Sequence, residues 1–433
     1  MKKSLLFACL LCGAFAFLTS CDEDEVAKKY KVTVTVTAND VDVDSLEGLT
    51  INCLSSSGNK MKVSQELDAN FVTSYNLSAG SYTLSGSATY GKNKYIGETN
   101  FAVVNQDLAV TIELQNVGEI KSGIIFKELY FYGVPSYYFK DGFYELVNNS
   151  DEVQYLDGII FSEIQRGYAA DRATWEDSLG NKPVDFYPLD GYVMQFPGNG
   201  TDYPLQPGQS VVIATQAYNH GTVDSTNIDT TAVARTLTEN DKPSPAGDLS
   251  TADWQLHIPA KAANGNYCNP NVKCMNVVWS NTTTFFWMLT VFGNPICLAK
   301  LPEQYATAEE FVNDSTNYHL NPSGKPILCI PTSCVIDAVD IQRSGESKIV
   351  KVFWPSEDAG YTYGTGADPD DPEYSTDFDS WTSPAYSGKS LRRKCILVAN
   401  GRAYFQDTNN STDDFILGGQ TAVVRRQFTE PDK

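Results

Sequence analysis

From Val32 to Thr37 the chain alternates strictly: Val32, Val34 and Val36 are separated by Thr33, Thr35 and Thr37. A repeat of two buries one face of an extended strand and wets the other, and it does not fit the 3.6-residue repeat of a helix. The branched side chains suit a pleated surface as well. The same alternation returns at Leu49-Thr50-Ile51, at Tyr82-Thr83-Leu84 just after the Gly80 turn, and through Val110-Thr111-Ile112-Glu113-Leu114. Aromatic residues make up 12% of the chain, with 24 tyrosines, and good helix formers are few. The expected fold class is therefore all-β. Residues 302–312 read as helical, with Pro302 near the start and Tyr305, Ala308 and Phe311 available to pack.

With 433 residues there is room for two or three domains with cores of their own. The alternation breaks around residues 116–123, which sets an expected boundary between a β-sandwich at 31–117 and a second domain at 118–433. The second segment turns aromatic, with Glu128-Leu129-Tyr130-Phe131-Tyr132, Tyr137-Tyr138-Phe139 and Phe143-Tyr144-Glu145-Leu146. It then carries recurrent turn phrases: Asn148-Asn149-Ser150, Tyr155-Leu156-Asp157-Gly158, Leu205-Gln206-Pro207-Gly208, Asp248-Leu249-Ser250 with Ala252-Asp253, Ser390-Leu391-Arg392-Arg393, and the run from Asp407 to Phe415. The first segment is similar to carboxypeptidase-regulatory-like, prealbumin-type modules, which implies a spacer or binding scaffold. The second resembles a lamin-tail-like, immunoglobulin-type β-sandwich. More closely it resembles the bacterial lipoproteins of domain-of-unknown-function 4876, over residues 118–427. That resemblance implies two β-sandwich domains, the second immunoglobulin-like and broken by long irregular insertions at 221–247 and 357–379. Kinship of this kind implies no activity, because the phrases are turns and not chemistry.

The N-terminus points to a location. Lys2 and Lys3 precede an apolar run at 5–17, then Leu18-Thr19-Ser20-Cys21. That order is a secretory signal of twenty residues, too short to span a bilayer comfortably. Leu-Thr-Ser-Cys resembles the lipobox of bacterial lipoproteins, which implies cleavage before Cys21 and acylation of its thiol. Several acyl chains on one residue hold a protein to a membrane stably. Asp22, Glu23, Asp24 and Glu25 open a tether over 21–30 and resemble a surface-export signal of certain Gram-negative gut bacteria. The expected location is the outer face of the outer membrane.

A formal charge of −21 repels phosphate backbones, so nucleic acid is excluded as a partner. No Gly-x-Ser-x-Gly elbow occurs, and Ser387-Gly388-Lys389-Ser390 lacks the first glycine of a phosphate loop. No enzymatic constellation emerges, and no enzyme is expected. The acidic run holding Asp368, Asp370, Asp371 and Glu373 suits Ca²⁺ as the one cofactor to consider, against the plainer reading of a solvated loop. The spacings of Cys268, Cys274, Cys297, Cys329, Cys334 and Cys395 fit disulfides or buried thiols better than zinc. Tyr130, Tyr132, Tyr137 and Tyr138, with His220 at the mouth of a polar loop, are the expected ligand-binding residues, since half the rings of an alternating strand should face outward. Expected partners are the membrane through Cys21, a small-molecule or glycan ligand, and an outer-membrane transporter of the TonB-dependent kind. The competing expectation is a structural or adhesive surface protein that makes protein–protein or glycan contacts.

Overall fold

The computed structural model describes residues 28–119, 123–131, 133, 140–166, 185–221, 243–264, 268–289, 294–342, 351–363, 388–399, 401–416 and 420–432. Cys21 and the acidic residues Asp22 to Glu25 lie outside them. So do Tyr132, Tyr137, Tyr138, Asp368, Asp370, Asp371 and Glu373.

Seven strands come first: β1 (Lys29–Ala38), β2 (Glu47–Ser55), β3 (Val63–Gln65), β4 (Val72–Ser78), β5 (Gly80–Tyr90), β6 (Asn93–Val103) and β7 (Leu108–Glu119). They hydrogen-bond in the order β2-β5-β6-β7-β1-β4-β3, with β1 and β7 parallel and the other pairs antiparallel. The alternation in β1 works as its sequence demands. Val32, Val34 and Val36 are buried with Leu84, Tyr95, Ile112 and Leu114, while the threonines between them stay partly wet. Leu54 bridges Lys60, and the Met61 N–H donates to the Cys53 carbonyl at 2.7 Å, which draws the two ends of the strand order together around one core. Strands β6 and β7 approach so closely that a side chain at Gly97 would collide with the carbonyl oxygen of Glu113.

The rest of the chain is built in layers. One sheet joins β19 (Tyr318–Leu320), β20 (Pro326–Pro331), β12 (Phe186–Gln195), β11 (Ile160–Ile164), β18 (Ile296–Ala299) and β21 (Val335–Val339), with β17 (Asn276–Ser280) also on β12. A second joins β16 (Lys273–Cys274), β15 (Trp254–Gln255), β14 (Ser210–Ala214), β9 (Phe143–Asn148), β8 (Ile124–Tyr130), β24 (Lys389–Arg392) and β27 (Gln420–Thr421). Their facing sides share a core in which Tyr144, Phe161 and Trp287 meet at ring-centre distances of 4.8 to 5.2 Å. The Trp287 indole N–H is satisfied by the Tyr192 carbonyl at 2.9 Å, as a buried indole requires. Short pairs finish the body: β10 (Gln154–Tyr155) with β13 (Pro204–Leu205), β22 (Ile341–Gln342) with β23 (Thr362–Tyr363), and the hairpin β25 (Cys395–Ala399) with β26 (Arg402–Phe405). The all-β, multi-domain architecture expected from the sequence is what the chain adopts.

Two expectations need correction. Every residue of β8 and β9 is buried, so no ring of these strands faces outward. Period two holds in β9 and on either side of a bulge between Phe126 and Glu128 in β8, so that Phe126, Leu129, Tyr144 and Leu146 all point into the inter-sheet core. The opposite face is covered too, by Val212, Ala214 and Leu249 around Tyr130 and Phe143, and by Cys395 and Phe405 of the β25–β26 hairpin around Ile125 and Val147. The helix is also shorter than expected. α1 spans Ala308–Asn313, because Thr307 caps it by accepting the Glu310 N–H at 3.2 Å, and the residues before it form a turn.

Ile96 and Val117 of the first body pack on Leu397, Ala399 and Tyr404 of the β25–β26 hairpin. Lys94 pairs with Asp151, which also receives Arg402 at 3.0 Å.

Candidate functional site

The turn phrases prove to be latches. Asn149 donates through Nδ2 to the Phe405 carbonyl at 2.9 Å and accepts the Phe405 N–H at 3.1 Å, which ties the Asn-Asn-Ser turn to β26. Asp157 collects the N–H groups of Gly200, Asp202 and Tyr203 at 2.8 to 3.1 Å. Asp253 receives the Val212 N–H and Arg425, both at 2.8 Å. Glu128 accepts from Ser390 Oγ at 2.6 Å and from Arg426. Buried polar groups such as Asn149 and Glu128 cost free energy unless satisfied, so they fix geometry first.

Arg393 is the centre of these ties. It is 1% exposed, donates to the Phe126 carbonyl at 2.7 Å and to both oxygens of Asp337, and also reaches Asp407 and Asp414 at 3.3 Å. One cation thus faces three buried carboxylates. Burial holds the Asp337 carboxyl above its ordinary range, and Asp407 and Asp414 push the same way, while Arg393 pulls it down. Asp414 is further held by Thr408 through its N–H and hydroxyl.

Beside this network lies a cleft of about 440 Å³. Six separated parts of the chain line it: Gly123 and Ile124 opening β8; Gln154 and Tyr155 of β10 with Ile159; Lys300; Thr332 and Ser333 with Val335, Ile336 and Asp337 of β21; Ser356 with Glu357; and Asn409. Its walls are pinned. Glu357 accepts the Tyr187 hydroxyl and the Ser356 hydroxyl, both at 2.7 Å, and Asn409 donates to the Ser356 carbonyl. Asn409 itself has φ 56°, a left-handed conformation that asparagine tolerates better than most residues. The Tyr155 side of the cleft keeps an exposed ring, 39% accessible. The lining offers hydroxyls, amides, one ammonium, carboxylates, that single ring and the aliphatic side chains of Ile124, Ile159, Val335 and Ile336. This is the chemistry of a site for a polar, hydroxyl-rich small molecule, and its size falls in the range of roughly 300–1,000 Å³ usual for such sites.

The two expected ligand residues that the structure describes are not at this cleft. Tyr130 is fully buried, and its hydroxyl donates to Asp141 at 2.8 Å. His220 is also fully buried, with Nε2 against the Gln216 carbonyl at 3.0 Å, and burial pushes its imidazole down to about 3. Both were expected on an accessible face because strand alternation and loop position ignore the layer that covers them. His319 stacks on Phe186 at 3.9 Å. Among the described residues no group of three or more His, Cys, Asp or Glu is placed to hold a metal. Tyr155 and Asn409 stand in turn phrases of the sequence that carry no ligand signal of their own. Thr332-Ser333 and Ser356-Glu357 were legible only as polar turns after Pro331 and Pro355.

Layered sheets and short strand pairs around several cores define the molecule as a multi-domain all-β protein. Residues 206–421 match the model of the family described as "Protein of unknown function (DUF4876)", and the chain belongs to that family. A crystal structure of a DUF4876 family protein from Bacteroides thetaiotaomicron VPI-5482 is similar at 25% identity, covering 92% of this chain and 97% of that one, with a TM-score of 0.55. A DUF3823 family protein from Parabacteroides merdae ATCC 43184 is similar at 12% identity over 32% of this chain and 67% of that one, with a TM-score of 0.16, too slight a likeness to argue from. Among curated proteins none matches the chain.

Proposed function

We propose that this protein is a lipoprotein of the outer-membrane surface, acylated at Cys21, that captures a hydroxyl-rich small ligand of the glycan class for a TonB-dependent uptake channel. The observation that carries the binding part is the cleft of about 440 Å³ with the Tyr155 ring at one wall and Lys300, Ser333, Ser356 and Glu357 at the others. A sugar offers an apolar face to one ring and alternating donors and acceptors to the polar groups around it. Pinned walls favour affinity because little ordering is left to binding. The anchoring part rests on the Leu-Thr-Ser-Cys sequence and the acidic residues that follow it.

The test combines fractionation and binding. Cys21→Ala should move the protein from membranes to the soluble fraction. Calorimetric titration of the full chain against a panel of host and plant oligosaccharides should find a binder that Tyr155→Ala weakens at least tenfold, about the 1–3 kcal/mol of one large apolar contact, without lowering Tm. If no oligosaccharide binds, or Tyr155→Ala binds as well as the parent, the capture reading gives way to the adhesive one.

A further inference from the structure

Four of the seven described cysteines are packed as small apolar side chains. Cys53, Cys297, Cys329 and Cys395 are buried, and burial pushes the thiols of Cys53 and Cys395 up to about 11 and that of Cys297 to about 12. Such thiols are inert. Cys268 and Cys274 differ in exposure and in facing each other, although the Cys274 thiol is also pushed up to about 11, by burial first and by Cys268 second. Cys268 is exposed, Cys274 is half-buried, and their sulfurs lie 3.8 Å apart.

The segment between them already holds its closed shape without a covalent link. Gln255, fully buried on β15, is paired in parallel register with Cys274 on β16. Its Nε2 donates to the carbonyls of Asn269 and Val272, both at 2.7 Å, and its Oε1 accepts the Asn269 N–H at 2.9 Å. The same Nε2 sits 3.5 Å from the Cys274 sulfur and 3.8 Å from that of Cys268. Asn269 is tied in turn to the Ala217 carbonyl at 2.9 Å. One buried amide therefore organises the whole turn and points both thiols at one spot. A cross-link there has little chain entropy to remove and only side-chain rotation to make.

We propose that Cys268 and Cys274 are a modification site: they close to an intramolecular disulfide when the chain meets a disulfide oxidant. The Cys268 thiolate, being exposed, attacks the oxidant's disulfide and displaces one thiolate from it. The Cys274 thiolate then attacks the mixed disulfide at the Cys268 sulfur and displaces the second. Two protons and two electrons leave the pair, and the oxidant ends as two thiols. The link staples β16, the outermost strand of its sheet, where unpaired backbone groups are a liability. That the link forms in the cell rests on the extracytoplasmic location proposed above, since thiols are kept reduced in the cytoplasm.

Peptide mapping without reduction tests the pair. The full chain, purified reduced in detergent, is treated with oxidised glutathione, alkylated and digested with trypsin, which cuts between the two cysteines at Lys273. The expected result is a cross-linked peptide pair with both thiols protected from alkylation. The link should vanish in Cys268→Ser and in Cys274→Ser and persist in Cys334→Ser. Full alkylation of both residues, or a lasting glutathione adduct on Cys268, overturns the proposal. A parallel sample, acid-quenched and alkylated in whole cells, judges location separately. A pair that oxidises in the tube and stays reduced in the cell counts against the extracytoplasmic reading and leaves the pairing standing.

Discussion

Glu163 on β11 and Asp190 on β12 are cross-strand partners, so two carboxylates share one register position. Like charges opposite each other repel, and Glu163 is also buried. Burial first, and Asp190 second, push its carboxyl up to about 8, although the Asn294 amide donates to it. The folded state therefore prefers the protonated acid, whereas the unfolded chain ionises near the ordinary value. The resulting stability is fully present below the unfolded pKa and is lost as pH rises from about 4 through about 8, at about 1.4 kcal/mol per unit. Asp141, pushed up to about 7 by burial, adds loss in the same direction. Thermal unfolding should give a higher Tm at pH 5 than at pH 9, and Glu163→Gln should flatten that slope by raising Tm at pH 9. An unchanged slope in Glu163→Gln would mean that Glu163 ionises in the fold without penalty. None of this was legible in the sequence, where Glu163 and Asp190 are two acids among 53 and separated by strand and loop.

At the scale of elements, strands that announce themselves locally were legible and their surroundings were not. β1, β5 and β7 follow from alternation, because one strand needs only its own side chains to choose a face. The rings of β8 and β9 do not follow their local sequence because Tyr130 and Phe143 are covered by a second layer from Val212, Ala214 and Leu249, much further along the chain. Glycine gives the sharpest element-level consequence. Gly86 on β5 and Gly97 on β6 are register partners, and a Cβ at Gly86 would come within 2.7 Å of Ile51 Cδ1. Gly97 faces backbone instead of a movable side chain, so β6 and β7 must separate to admit anything larger. Gly97→Ala should cost about 1–3 kcal/mol, the usual penalty of overpacking, read as a lower denaturant midpoint of the full chain. A midpoint equal to the parent's would mean that the close crossing of β6 and β7 relaxes freely.

For the whole molecule, the two bodies meet through Ile96, Val117, Leu397, Ala399 and Tyr404, with Lys94 and Arg402 both on Asp151. The apolar part of that contact should make them unfold together. Replacing Leu397 and Tyr404 by Ala removes two side chains from the contact, each worth roughly 1.5–3 kcal/mol when fully buried. Scanning calorimetry should then resolve two transitions where the parent gives one. One shifted transition in the double variant would place the coupling elsewhere. The cleft was illegible at this scale for a related reason: its lining comes from parts of the chain as distant as Gly123 and Asn409, and no window of sequence contains them together.

Strand order also sets a timetable. β8 begins at Ile124, yet one of its two neighbours in the sheet is β24, at Lys389–Arg392. Arg393, the next residue, closes on the Phe126 carbonyl and on Asp337. A chain that emerges N-terminus first therefore holds an unmated strand edge and an incomplete ion cluster until its last forty or so residues arrive. Until then the second body has no finished form to settle into. On the exported location proposed above, such late completion is an asset, because a chain threaded through a membrane channel must not fold on the wrong side. The same wait leaves an open edge exposed to neighbouring chains, so a truncation before residue 389 should aggregate and not fold into a smaller domain.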